Sequence, residues 1–348
     1  MKPVPCIHRR LLQALAALAG LVISGSFSGH SGRLAADDAA DDAGATATAP
    51  APAKASAPAL AEPEMLDLET TDGVALAAWY YPVAEGERPG GVVILVHDLD
   101  GSHKTVEPLA KGLQQLGYAV VAPDLRGHGA SQKMAGLKEP KADTKGLRKN
   151  DLLAIAAAEG GRVREQAALR GDLETVRRWI KRKSDAGELD INRLCVVGCG
   201  AGATLAALWT VTDSLWLPTA TGPQGRQVRA LALVSPAWAF KGVSLQPAIK
   251  SEVIRHDVPI LVVSGTSDRD GLRLIEQFKA LRPKAWFIQG PGNRQESAKD
   301  VEKKPTDATF FSVQIDTTLS ADKLAADRST NAAAVIGTFL EMAIDRDR

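Results

Sequence analysis

A mostly parallel β-sheet with helices packed on both faces is the architecture this sequence predicts, and three observations predict it. Short apolar runs alternate through residues 64–348 with stretches whose apolar residues recur at helical spacing, the pattern of a layered α/β fold. Five of those runs, residues 91–96, 119–122, 194–197, 230–234 and 260–263, are apolar throughout, as strands buried between two helical layers must be. One of them leads into Gly198-Cys199-Gly200-Ala201-Gly202 and then a helical stretch, so a sharp glycine-rich turn stands at the end of a core strand.

The chain begins with His8, Arg9 and Arg10, an apolar run over residues 11–23 and small residues around Leu34-Ala35-Ala36, which predicts an export signal over residues 1–36. The run falls short of the roughly 20 residues of a spanning helix, so membrane attachment follows only if the signal stays uncleaved. Residues 37–63 are Ala, Pro, Asp and Thr, too poor in apolar surface to offset ordering entropy, and predict a disordered linker.

The domain proper is expected over residues 64–348. Residues 65–70 and 74–82 predict an antiparallel pair around Asp72-Gly73. Val106, Leu109, Leu113 and Leu116 place a helix over 103–118. A polar insertion at about 132–168 carries one apolar patch, residues 152–158, and reads as a mobile flap or a short lid helix. Asp172 is the expected N-cap of a helix burying Leu173, Val176 and Ile180, with Arg177, Arg178, Lys181, Arg182 and Lys183 on a solvated face. Val335, Ile336, Phe339, Leu340 and Ile344 form the apolar face of a closing helix.

Lys and Arg number 42 against 41 Asp and Glu, a net charge of +1, which carries no footprint for nucleic acid. Of the three cysteines, Cys6 leaves with the signal. Cys195 and Cys199 lie on one extended segment spanning roughly 13 Å, beyond disulfide reach.

Four landmarks, each after a predicted strand, carry a resemblance: His97-Asp98-Leu99-Asp100-Gly101-Ser102, Pro123-Asp124-Leu125-Arg126-Gly127-His128-Gly129, the turn at Gly198, and Ser264-Gly265-Thr266-Ser267-Asp268. In this order they resemble the α/β-hydrolase superfamily, most of all its serine-peptidase, lysophospholipase and dienelactone-hydrolase members. The resemblance implies the α/β-hydrolase fold and, for an active member, ester, amide or thioester substrates. It also implies a nucleophile at position 200, an acid at 268, a histidine after the last core strand and backbone N–H groups forming an oxyanion hole.

The nucleophile position is vacant, because Gly200 has neither oxygen nor sulfur. Asp268 matches the acid and stands as its vestige. The histidine should follow residues 285–289, near Asn293, or residues 310–315, near 317–320; neither place holds one, and the last histidine of the chain is His256. In the oxyanion segment the usual histidine-glycine pair reads His97-Asp98. Asp98 and Asp100 oppose a developing oxyanion if they point inward, or else face solvent or cap the following helix.

The expected function is therefore that of an exported, catalytically inactive binding protein. Its ligand, a small molecule or a protein, is placed in the old active-site crevice lined by Asp98, Leu99, Gly200, Ala201 and Asp268. Two alternatives compete. One is a hydrolase using Cys199, with His97 as its nearest base, or a metal-activated water. The other is a protein-interaction module displayed by the linker. His97, Asp98, Asp100 and His103 are metal-ligating residue types, but their spacing matches no metal motif, and neither a metal nor a cofactor is expected.

Overall fold

The computed structural model describes residues 60–134, 147–156, 171–216 and 224–347. The expected signal, most of the expected linker, and residues 135–146 and 157–170 of the insertion lie outside the described residues.

Strand β1 (Glu64–Glu69) pairs antiparallel with β2 (Val74–Tyr81) across the Asp72-Gly73 turn. Then come β3 (Gly91–Val96), β4 (Tyr118–Pro123), β5 (Leu194–Cys199), β6 (Val228–Val234), β7 (Ile260–Gly265), β8 (Trp286–Gln289) and β9 (Phe310–Ile315). Their order in the sheet is β1-β2-β4-β3-β5-β6-β7-β9-β8, with β4 through β8 parallel along that path. Every residue of β3 is buried, and each of its Val, Ile and Leu side chains stabilises the fold by about 1.5–3 kcal/mol relative to exposure.

Helices α1 (His103–Gln115), α2 (Lys149–Ala156), α3 (Asp172–Asp185), α4 (Ala201–Leu215), α5 (Arg269–Leu281), α6 (Ala321–Ala326) and α7 (Ala332–Ile344) cover the sheet. α1, α6 and α7 pack on one another, and α2 packs on both α3 and α4, giving the two outer layers. From β3 the chain crosses to β4 on one side and then to β5 on the other. The carboxyl ends of β3 and β5 therefore flank the switch point, where parallel sheets open a crevice.

The structure corrects four expectations. Gly171, not Asp172, caps α3. Asp172 turns inward instead, its Oδ1 accepting from Arg126 Nε and its Oδ2 from Arg126 N, both at 2.8 Å, because a guanidinium this deeply buried requires a carboxylate. The basic face of α3 is not wholly solvated: Arg177 is buried, bonded to Glu174 at 2.6 Å and to Gln227 Oε1 at 3.0 Å. Within the insertion, α2 is no flap, since Leu152, Ile155 and Ala156 are buried against α3 and α4. Residues 60–63 belong to the folded part rather than the linker, and Ala61 O accepts from the buried amide of Gln114 at 2.8 Å.

Candidate functional site

The turn after β5 has the geometry of a nucleophile elbow. Gly200 takes φ 57° and ψ −123°, a conformation side-chain-bearing residues rarely adopt, and α4 begins at the next residue. Gly200 N donates to Val234 O at 2.9 Å and Gly200 O accepts from Ala237 N at 3.1 Å, so the end of β6 fixes the turn. Gly202 is needed for a different reason: a Cβ there would lie 2.2 Å from His97 O, and only glycine lets the elbow approach the end of β3 this closely.

Asp98 occupies the space that a nucleophile would fill. A Cβ built on Gly200 would stand 2.3 Å from both Cγ and Oδ1 of Asp98. Asp98 Oδ1 accepts from Ala201 N at 2.7 Å and from Leu99 N at 2.8 Å. These N–H groups, one following the elbow apex and one in the loop after β3, are the donors that hold an oxyanion in this architecture. The anion present is the chain's own. Burial pushes the Asp98 carboxyl up, the two amide bonds oppose that push, and the nearby Asp100 adds to it. Asp100 itself is exposed, at φ 66°, so of the two acidic residues in this loop only Asp98 points inward.

Sheet order fixes which loop runs nearest the elbow. β9 lies beside β7, and β8 lies outside β9, so the loop following β9 takes the place nearest the elbow. That loop leads to Asp322, in the first turn of α6. Asp322 Oδ1 accepts from Asp98 N at 2.9 Å, its Oδ2 accepts from Thr105 Oγ1, and its carboxylate lies near enough to the Cys199 thiol to help push that thiol up. Asp322 is only 9% exposed, and burial pushes its carboxyl up to about 6. Reading the sequence for a histidine between 317 and 320 missed it; the available signal was an acidic residue at the start of the short helix beyond.

The remaining expected residues are committed elsewhere. His97 is fully buried; Nδ1 donates to Asp98 O at 2.6 Å and Nε2 accepts from Leu125 N at 3.1 Å, which leaves neither nitrogen for a thiol. Burial, reinforced by His128, lowers its pKa to about 4. Cys199 is fully buried, and burial together with Asp322 and Asp98 holds its thiol well above the usual range. Asp268 caps α5, its Oδ1 accepting from Gly271 N at 2.9 Å, and burial raises its carboxyl. His103 is bound to Asp124 at 3.0 Å and stacked on Trp79 at 3.3 Å. Among the described residues no three His, Cys, Asp or Glu side chains gather as a metal site. A cavity of about 1050 Å³ opens elsewhere, and none of the five expected crevice residues lines it.

Comparison with known proteins bears on fold and lineage. The family model described as serine aminopeptidase, S33, matches residues 87–265. No curated protein sequence matches the chain. Among solved structures, an esterase from Pyrobaculum calidifontis is similar with a TM-score of 0.51 and 14% identity, over 81% of this chain and 85% of that one. DcsB, solved in complex with its substrate analogue, gives a TM-score of 0.50 and 13% identity over 82% of this chain and 100% of its own. At such identities the likeness is one of fold. Asp268 and Asp322 both lie beyond the end of the matched segment.

Proposed function

The chain belongs to the serine aminopeptidase S33 family of α/β-hydrolase-fold proteins, and from that premise we propose that it is an exported, non-hydrolytic member that binds a ligand in the crevice above Gly200. One observation carries this reading: the carboxylate of Asp98 fills the nucleophile's space and takes both oxyanion-hole amides.

The magnitudes favour binding over turnover. Loss of a serine nucleophile alone costs on the order of a million-fold in turnover. Each oxyanion donor withheld from a substrate costs a further factor of about 10² to 10³. A carbonyl oxygen entering this crevice meets two amides already bonded to a negative charge, so even the residual electrostatic contribution is lost. Cys199 does not replace the serine, because its thiol is held protonated and faces a carboxylate rather than a free imidazole. With the amides occupied, recognition of a small molecule or protein falls to donor groups that suit the Asp98 carboxylate.

Purified chain and its Cys199→Ala variant, assayed with activated esters and thioesters at neutral pH, are expected to match the uncatalysed background. Turnover lost in the Cys199→Ala variant would establish a thiol hydrolase instead, and turnover lost to a chelator a metal-dependent one.

A further inference from the structure

The large cavity lies at the opposite end of the sheet from the crevice. Among its lining residues Val228 begins β6, while Pro259 and Thr309 immediately precede β7 and β9, so it opens at the amino-terminal ends of the strands. Its volume of about 1050 Å³ is that of a generous small-molecule site, for which roughly 300–1,000 Å³ is usual. One wall is the last two turns of α4, and the other is the short helix Gln246–Lys250 followed by the π-turn Val253–Asp257. π-turns of this kind are frequent at functional sites. The walls are mostly apolar, and Leu215, one of the lining residues, is 39% exposed, one of four large apolar side chains so exposed among the described residues.

The charges around this apolar space are unbalanced. Five of the lining residues are basic and three acidic. Of the acids, Asp213 is buried and accepts from Gln227 N and Val228 N, and Glu252 is shared by Arg255 and His256, which leaves Asp257. Of the bases, Arg229 and Arg346 donate to backbone carbonyls, whereas Lys149, Arg226 and Lys250 are exposed with no carboxylate partner among the described residues. Arg226 also holds φ 59°, a backbone conformation costly for any residue with a β-carbon.

We propose that this cavity is a binding site for a long-chain carboxylate, the alkyl chain lying against Leu208, Val211 and Val253 and the anionic head drawn to the cationic rim. An apolar chain removes from water a surface that is otherwise left open, and the head supplies the charge that Lys149, Arg226 and Lys250 lack. A neutral or cationic amphiphile satisfies only the first requirement. The site is independent of the crevice, and it stands whether or not the crevice binds anything.

Titrating the purified full chain with cis-parinaric acid, a fluorescent polyunsaturated fatty acid, is expected to give saturable one-to-one binding. The methyl ester of the same acid should bind about tenfold more weakly, a difference of about 1.4 kcal/mol. Val211→Trp, which fills the cavity, and the surface double variant Arg226→Glu/Lys250→Glu, which does not disturb the core, should each weaken the acid by at least about tenfold. Titration without saturation overturns the proposal, as does equal affinity of acid and ester, or affinity unchanged by the double variant.

Discussion

Replacing Gly200 by alanine is expected to lower the free energy of unfolding by about 3 kcal/mol, a large loss for one added methyl group. Two costs combine. The elbow's φ of 57° and ψ of −123° strain any residue with a side chain by roughly 1–3 kcal/mol. The new Cβ would also stand 2.3 Å from the Asp98 carboxylate, an overpacking that costs about 1–3 kcal/mol more. The second cost depends on Asp98 and the first does not, so the two are separable. Asp98→Ala removes the atoms that collide, and the double variant Asp98→Ala/Gly200→Ala should therefore be more stable than the sum of the single changes by about 1–2 kcal/mol. Urea denaturation of the four proteins measures this coupling. Additive costs would show that Asp98 does not stand over Gly200.

Asp322→Asn is expected to stabilise the protein at high pH and to lose that advantage in acid. Asp322 titrates at about 6 in the folded chain against 3.8 in the unfolded one. Between those values the folded state holds more protons, so stability falls as pH rises through the window. Above about pH 6 the ionised carboxylate is a net cost, and two pKa units correspond to roughly 2–3 kcal/mol. Asparagine keeps an oxygen to accept from Asp98 N without the charge, so the variant should be more stable than the wild type at about pH 8 by an amount of that order. The difference should shrink as pH falls through the window and vanish only well below 3.8, at about pH 2–3, where wild-type Asp322 is protonated in both states. His97 works in the opposite sense: its pKa, lowered to about 4, withdraws stability as pH falls below 6.5. The difference between variant and wild type, measured by denaturation across this range, cancels the His97 contribution and isolates Asp322. A constant difference across the range would contradict the assignment.

Much of the fold was legible because its signals are local. The all-apolar runs that became β3 to β7 state their own burial, and the glycine cluster after β5 states the elbow. The inversion of Asp172 was not legible, since Arg126, which draws it inward, lies 46 residues away. The site divides in the same way. Gly200 as a vacant nucleophile is visible in one residue, whereas the direction of Asp98 depends on how closely β3 and β5 approach. Asp322 was invisible for the same reason more strongly: the bond from Asp98 N spans 224 residues, and it exists because β9 inserts between β7 and β8 rather than following β8 in order. A reading that looks for a family's residue types finds which of them are absent; it does not find which side chain stands in the space.

Asp98 and Gly200 fit one another. A carboxylate can lie across the elbow only if the apex carries no side chain, and the glycine leaves a gap that the carboxylate closes. Asp322 extends the arrangement, holding the backbone of Asp98 from the far side through its N–H. The crevice is thus organised around the Asp98 carboxyl, which takes the amides of Leu99 and Ala201.

The most direct test of that account is whether the crevice contains any activated nucleophile. Intact-mass measurement of the purified chain after exposure to excess fluorophosphonate at neutral pH should return the unmodified mass. A stoichiometric adduct mapped to Cys199, or to any other residue of the crevice, would contradict it.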